Sequence, residues 1–147
     1  MGISIDFAKL NSVFQACRGR VGYLLGAKCK LDAKPEDIRR IDCSGWVRYH
    51  LYQATGIKLP DGSQNQLAWA RKNLRKLAKY SDVQYAAADG GRLFIAFLSP
   101  KPGEEWPRHV WLLKLGVTME SCSSQGVASR NWDHPSLRFC KECFEIA

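Results

Sequence analysis

Three residues of this chain have the types that can together break or form an acyl bond. Cys43 stands in Ile41-Asp42-Cys43-Ser44-Gly45-Trp46-Val47, His109 in His109-Val110, and Glu120 in Thr118-Met119-Glu120-Ser121. A thiolate can attack a carbonyl carbon, an imidazole can take and return the proton, and a carboxylate can orient the imidazole. Each also has an ordinary reading. Free cysteine is often a small buried apolar residue. A histidine is often a surface or interior residue, and a strand glutamate is often just exposed. The readings separate on whether the fold brings the three side chains together.

The element that must position Cys43 is a helix. Val47, Leu51 and Ala54 fall at i, i+4 and i+7, one face of a 3.6-residue period, and Thr55-Gly56 supplies a glycine stop. Cys43 then lies in the first turn of a helix of about three turns. There the unpaired N–H groups and the positive end of the dipole favour a thiolate over a thiol. The base has three candidates. His50 lies seven residues beyond Cys43, about 10 Å along a helix axis, too far to meet the sulfur. His134 lies in the turn-like Asp133-His134-Pro135. His109 opens a strand after the loop Pro100 to Pro107, and a strand entrance can face a helix N-terminus packed on the sheet. A hairpin of His109–Leu115 with Val117–Ser121, turning at Gly116, brings Glu120 near the level of His109.

The remaining segments supply the frame. Phe7, Leu10, Phe14 and Cys17 mark an amphipathic helix from Ile5 to about Cys17. Cys29 to Arg40 reads as a charged surface loop. Gln64 to about Tyr80 reads as a helix with Leu67, Ala70, Leu74 and Leu77 on one face. Its other face carries Arg71, Lys72, Arg75, Lys76 and Lys79, a solvated face or an anion-binding patch. Arg92–Leu98, Gly126–Trp132 and Phe139–Ile146 read as further strands of a meander. The expectation is α+β, N-terminal helices packed on a C-terminal antiparallel sheet, in one domain spanning residues 1–147.

Composition narrows the partners. Twenty-two Lys and Arg against 14 Asp and Glu give a net charge of +8, which attracts polyanions such as wall polymer, anionic lipid or nucleic acid. No stretch is long and apolar enough to span a membrane. The N-terminal segment lacks a basic n-region and a continuous apolar h-region, so a chain made in the cytosol without a signal peptide is expected. Of the six cysteines, Cys140 and Cys143 form a lone C-x-x-C, read as structural thiols or an adventitious metal site.

Asp42-Cys43-Ser44-Gly45-Trp46-Val47, Gly56-Ile57-Lys58-Leu59-Pro60, His109-Val110, and Glu120-Ser121 followed by Gly126-Val127 resemble the NlpC-type cell-wall peptidases, papain-like enzymes of bacteria and their phages. The resemblance runs from about Tyr23 to Trp132. It implies a papain-like NlpC-type fold with Cys43 as nucleophile, His109 as base and Glu120 as third polar member. It also implies Tyr23, Asp42 and Ser44 on the substrate side. The implied partner is the peptidoglycan stem peptide, cut between D-γ-glutamyl and the diamino acid, with no metal or organic cofactor and no role for nucleic acid. The chain would then reach the wall by phage, lysis or a secretion system. The third position is often histidine in this family, and this chain has glutamate. A related amidase or acyltransferase, or a non-catalytic basic binding module, are the competing readings.

Overall fold

The computed structural model describes residues 3–77, 91–98, 102–104, 107, 109–131, 134 and 140–146, without the side chains of residues 140 and 141. Among the described residues three α-helices come first: α1 (Phe7–Cys17), α2 (Cys43–Thr55) and α3 (Ser63–Asn73). Six strands follow: β1 (Arg75–Lys76), β2 (Phe94–Leu98), β3 (His109–Lys114), β4 (Val117–Cys122), β5 (Gly126–Ala128) and β6 (Cys140–Glu145). The architecture is α+β, with an antiparallel sheet in the order β1-β6-β2-β3-β4-β5.

Local chemistry sets the helix ends. Asp6 caps α1 by accepting the Lys9 N–H at 2.9 Å. Gly56 ends α2 in the left-handed region at φ 78°, a conformation glycine adopts without strain. The Val47, Leu51 and Ala54 stripe is buried as the periodicity requires. It packs with Leu10, Val13 and Phe14 of α1 against Ile95, Phe97, Val110, Leu112 and Met119 of the sheet. The alternate residues Phe94, Ala96, Trp111 and Leu113 gather with Leu77 and Cys143 in a second cluster. Both sets of alternate residues in β2 are therefore buried, which explains its unbroken apolar run Phe-Ile-Ala-Phe.

Two expectations fail on the sheet. The helix read from Gln64 to Tyr80 stops at Asn73, because Leu74 turns extended and the next residues pair with β6: Arg75 with Glu145, Lys76 with Phe144. Long-range pairing overrides a helical period here. Three basic residues of that segment, Arg71, Arg75 and Lys76, are exposed and paired with acids of β6; Lys79 falls outside the described residues. Arg71 grips Glu142 in two bonds of 2.9 and 2.6 Å, Lys76 lies 3.3 Å from Glu142, and Arg75 and Arg92 both pair with Glu145. The strands also depart from a simple meander. β2 to β5 are sequential neighbours, but β6 crosses back to lie between β1 and β2. Residues 78–80, Trp132, Phe139 and the Cys140 side chain fall outside the described residues, and with them parts of the expected helix, the strand ends and the C-x-x-C.

His50 joins α2 to α1. It has no exposed surface, and its Nε2 donates to the Leu10 carbonyl at 2.8 Å, with the Trp46 ring 4.6 Å away. Burial pushes its pKa down from 6.5 to about 4, against the opposing bond to Leu10. Below pH 6.5 the unfolded chain takes up a proton that the folded interior refuses, so stability falls with pH through this window. Denaturant titrations should show a decline of up to about 3 kcal/mol between pH 6.5 and 4 from this group. His50→Gln should flatten the upper part of that decline, above the range where the carboxylates protonate.

Candidate active site

Cys43 is the first residue of α2, and Asp42 is its N-cap in extended conformation. The Asp42 Oδ1 accepts the Gly45 N–H at 2.7 Å, and the Asp42 carbonyl accepts the Trp46 N–H at 3.0 Å. The N–H groups of Cys43 and Ser44 are then the donors this helix end can turn toward an incoming anion. Gly45 permits the tight cap. A Cβ there would lie 2.8 Å from Asp42 Oδ1 and 3.1 Å from the Ala27 carbonyl.

The segment before the helix is clamped by the same carboxylate. Asp42 Oδ2 accepts the Gly26 N–H at 3.1 Å, and the Lys28 ammonium reaches both Asp42 oxygens at 2.7 Å. Lys28 also donates to Ser44 Oγ at 2.9 Å and lies 3.4 Å from Asp61. The side chains of Asp42 and Ser44 are thus buried and engaged within the protein. Tyr23 sits at the other end of this segment, half-buried. Burial, then the charges of Cys43 and Asp42, raise its pKa, so its hydroxyl stays protonated and able to donate. Gly126 holds the segment against β5. At φ +70° it lies so close to the Val21 carbonyl that a Cβ would clash, and the Val127 N–H bonds the same carbonyl at 2.9 Å.

His109 begins β3. The hairpin pairs Leu112 with Met119 and Leu113 with Thr118, and Glu120 reaches across to His109. His109 Nε2 donates to Glu120 Oε1 at 2.7 Å, and the ring lies near enough to Cys43 for the two to interact. With Nε2 engaged by the carboxylate, Nδ1 is the nitrogen left for the sulfur. The Trp111 ring stacks beside the imidazole at 5.5 Å and 25°. Burial opposes charge on His109, but the bonds and negative charges of Cys43 and Glu120 outweigh it and raise its pKa from 6.5 to about 9. Burial likewise opposes charge on Glu120, yet His109, Arg130 and Thr118 hold it down to about 2. The structure therefore unites Cys43, His109 and Glu120, with Tyr23 beside them. His134 is not among the partners of His109; its backbone N–H bonds the Asn131 carbonyl at 2.9 Å beyond β5.

Two residues of the site escaped sequence reasoning, Lys28 and Arg130. Arg130 donates to Glu120 through Nη2 at 2.5 Å and Nε at 3.0 Å. Its one sequence signal is phase: it follows β5 at a spacing that continues the β4–β5 ladder, as the Thr118 N–H bond to its carbonyl at 2.8 Å shows.

Solved structures share this arrangement of helices and strands. The NlpC/p60 domain of the peptidoglycan hydrolase SagA matches with a TM-score of 0.59 at 19% identity, over 93% of this chain and 96% of that one. The P60 domain of an antigen from M. avium subspecies paratuberculosis matches at 0.60 and 22% identity, over 94% and 91%. The fold is that of the NlpC/P60 domains. A Staphylococcus aureus protein of the NLP/P60 family, described as similar to a lipoprotein, matches at 0.63 and 16% identity over 99% of this chain but only 43% of its own. No family model and no curated protein matches the sequence. The likeness to the NlpC/P60 domains is thus one of fold.

Cys43 differs in its surroundings from Cys17, Cys29 and Cys122. Burial pushes the pKa of Cys17 up, and that of Cys29 up to about 11, while Cys122 is buried. Iodoacetamide at pH 7 should therefore label Cys43 first. Glu120→Gln removes a charge that favours the imidazolium, so it should slow that labelling near neutral pH. His134→Ala should leave it unchanged. Peptide mapping by mass spectrometry checks both, and the reverse pattern would unseat Glu120.

Proposed function

We propose that this chain is a peptidoglycan hydrolase, a cysteine endopeptidase that cuts the amide between D-γ-glutamyl and the diamino acid of stem peptides at the bacterial wall. The observation that carries the reading is Cys43 at a helix N-terminus beside the hydrogen-bonded pair His109–Glu120, in the fold of NlpC/P60 domains. One such domain belongs to a protein named as a peptidoglycan hydrolase. The net charge of +8 suits an anionic wall polymer. No described helix is long and apolar enough to cross a membrane.

The geometry supports the following reaction. The Cys43 thiolate, paired with the His109 imidazolium, attacks the carbonyl carbon. The oxyanion turns toward the N–H groups of Cys43 and Ser44, with the protonated Tyr23 hydroxyl as a further donor; each such donor is worth about a hundredfold or more in rate. The C–N bond breaks as His109 gives its proton to the leaving amine. Neutral His109 then takes a proton from water, the hydroxide displaces the thioester sulfur, and the ion pair is restored.

The pH sign follows from His109. Its proton is held below about pH 9 and lost above it, so the thiolate–imidazolium pair fades through that range. Digestion of purified muropeptides, followed by mass spectrometry, should give a diamino acid–D-Ala fragment from tetrapeptide stems. Cys43→Ala should abolish it with the fold intact. Whole sacculi should be cut more slowly at high salt, which screens attraction to the wall. New sugar reducing ends, or a stem released whole from muramic acid, would reject the bond assignment. Undiminished cleavage by Cys43→Ala would reject the enzyme.

A further inference from the structure

The least expected contact in the site is a second cation on Glu120. The carboxylate has no exposed surface. Its Oε1 accepts from both His109 Nε2 at 2.7 Å and Arg130 Nη2 at 2.5 Å. Its Oε2 accepts from Arg130 Nε at 3.0 Å and from the Thr118 hydroxyl. The Arg130 side chain is 12% exposed, so the fork is held at the edge of the interior. The backbone fixes it there: Thr118 and Arg130 bond N–H to carbonyl at 2.8 Å, and the Arg130 N–H bonds Thr118 Oγ1 at 2.9 Å. A planar fork on both carboxylate oxygens is the geometry in which arginine outperforms lysine.

A histidine that only needed orienting would be served by the carboxylate alone. We infer that Arg130 is a positioning residue, the resident counter-ion of Glu120, which lets His109 pass between charged and neutral forms without stranding a buried anion. The groups that face His109 define the two states. Cys43 comes from α2, Glu120 from β4 and the Trp111 ring from β3, with Tyr23 beyond the sulfur and Arg130 behind the carboxylate. At rest the charges alternate: thiolate, imidazolium, carboxylate, guanidinium. In the thioester the sulfur is neutral, and His109 must be neutral as well to accept a proton from water. Glu120 would then be a lone buried carboxylate, which is costly, were it not already paired with Arg130. Without Arg130 the carboxylate holds the proton on His109 and slows the second half of the reaction more than the first.

The kinetic consequence rests on the proposed hydrolysis; the titration does not. The chain has three histidines, so labelled imidazole resonances can be followed by NMR against pH. In Arg130→Met the His109 titration should move upward by about one pH unit or more, because a nearby positive charge is removed and Glu120 is released to it. Arg130→Lys, which keeps the charge and loses the fork, should move it less in the same direction. On mixing with muropeptide at pH 7, Arg130→Met should accumulate a thioester on Cys43, seen by intact mass, that clears at higher pH. A folded Arg130→Met whose His109 titration is unmoved or lowered overturns the inference. So does activity lost equally at all pH values without an adduct. If Arg130→Met does not fold, an unmoved or lowered titration in Arg130→Lys overturns it. If the wild-type chain cleaves no stem peptide, the proposed function fails while the titration still decides Arg130.

Discussion

A carboxylate without access to water must find its compensation in the protein, and Glu120 sets that demand at the centre of this structure. An unpaired buried charge costs several kcal/mol, enough to consume a large share of a small domain's stability. The fold answers with three donors from three places: His109 at the start of β3, Thr118 two residues back on β4, and Arg130 just past β5. Their joint geometry requires the β3–β4 and β4–β5 registers to be what they are. A slip of one residue would turn Glu120 to the other face and leave the imidazole unheld. The same registers seat β5 on the segment that carries Tyr23, through Gly126 and Val21. The position of His109, the charge beside it and the wall of the site therefore depend on one ion cluster.

Short-range chemistry made part of this readable from residues alone. The α2 boundaries follow from an Asp cap, a 3.6-residue apolar stripe and a left-handed glycine, all within 15 positions. Cys43 is found because its chemistry is local to a helix end. The hairpin is nearly as local, so Glu120 could be placed beside His109 from a tight turn and a period of two. What escaped is long-range. Lys28 lies 14 residues from Asp42, and its role depends on how the preceding loop folds back. Arg130 becomes visible only once the β4–β5 register is known. Leu74 and Leu77 continue a helical period well, and the chain turns extended there because β6, some 70 positions away, supplies partners. Propensity is a local quantity, and tertiary hydrogen bonds overrode it.

Identities of 16 to 22% with the matched NlpC/P60 structures mean that few residues are shared while the layout is kept. The layout is what the proposed chemistry needs: a helix N-terminus for Cys43 and a strand entrance for His109. The D-C-S-G element serves it mechanically. Aspartate caps the helix and clamps the loop, and glycine admits the aspartate oxygen and the Ala27 carbonyl at close range. Both would be required of this turn even if no substrate ever touched them.

The crossing of β6 has a consequence for biosynthesis. β2 is flanked by β3, made soon after it, and by β6, made after every other strand. A nascent chain that has emerged only through β5 can assemble the hairpins that carry His109, Glu120 and Arg130. It still has an open β2 edge rich in Phe and Ile, and its Arg71, Lys76 and Arg75 have yet to meet Glu142 and Glu145. An unpaired apolar edge is a template for pairing with other chains. The positive charges of Arg71, Arg75 and Lys76 beside it favour repulsion between such intermediates while the edge is open, and β6 brings both the missing strand and the missing acids in one step. The segment that closes the sheet also discharges it.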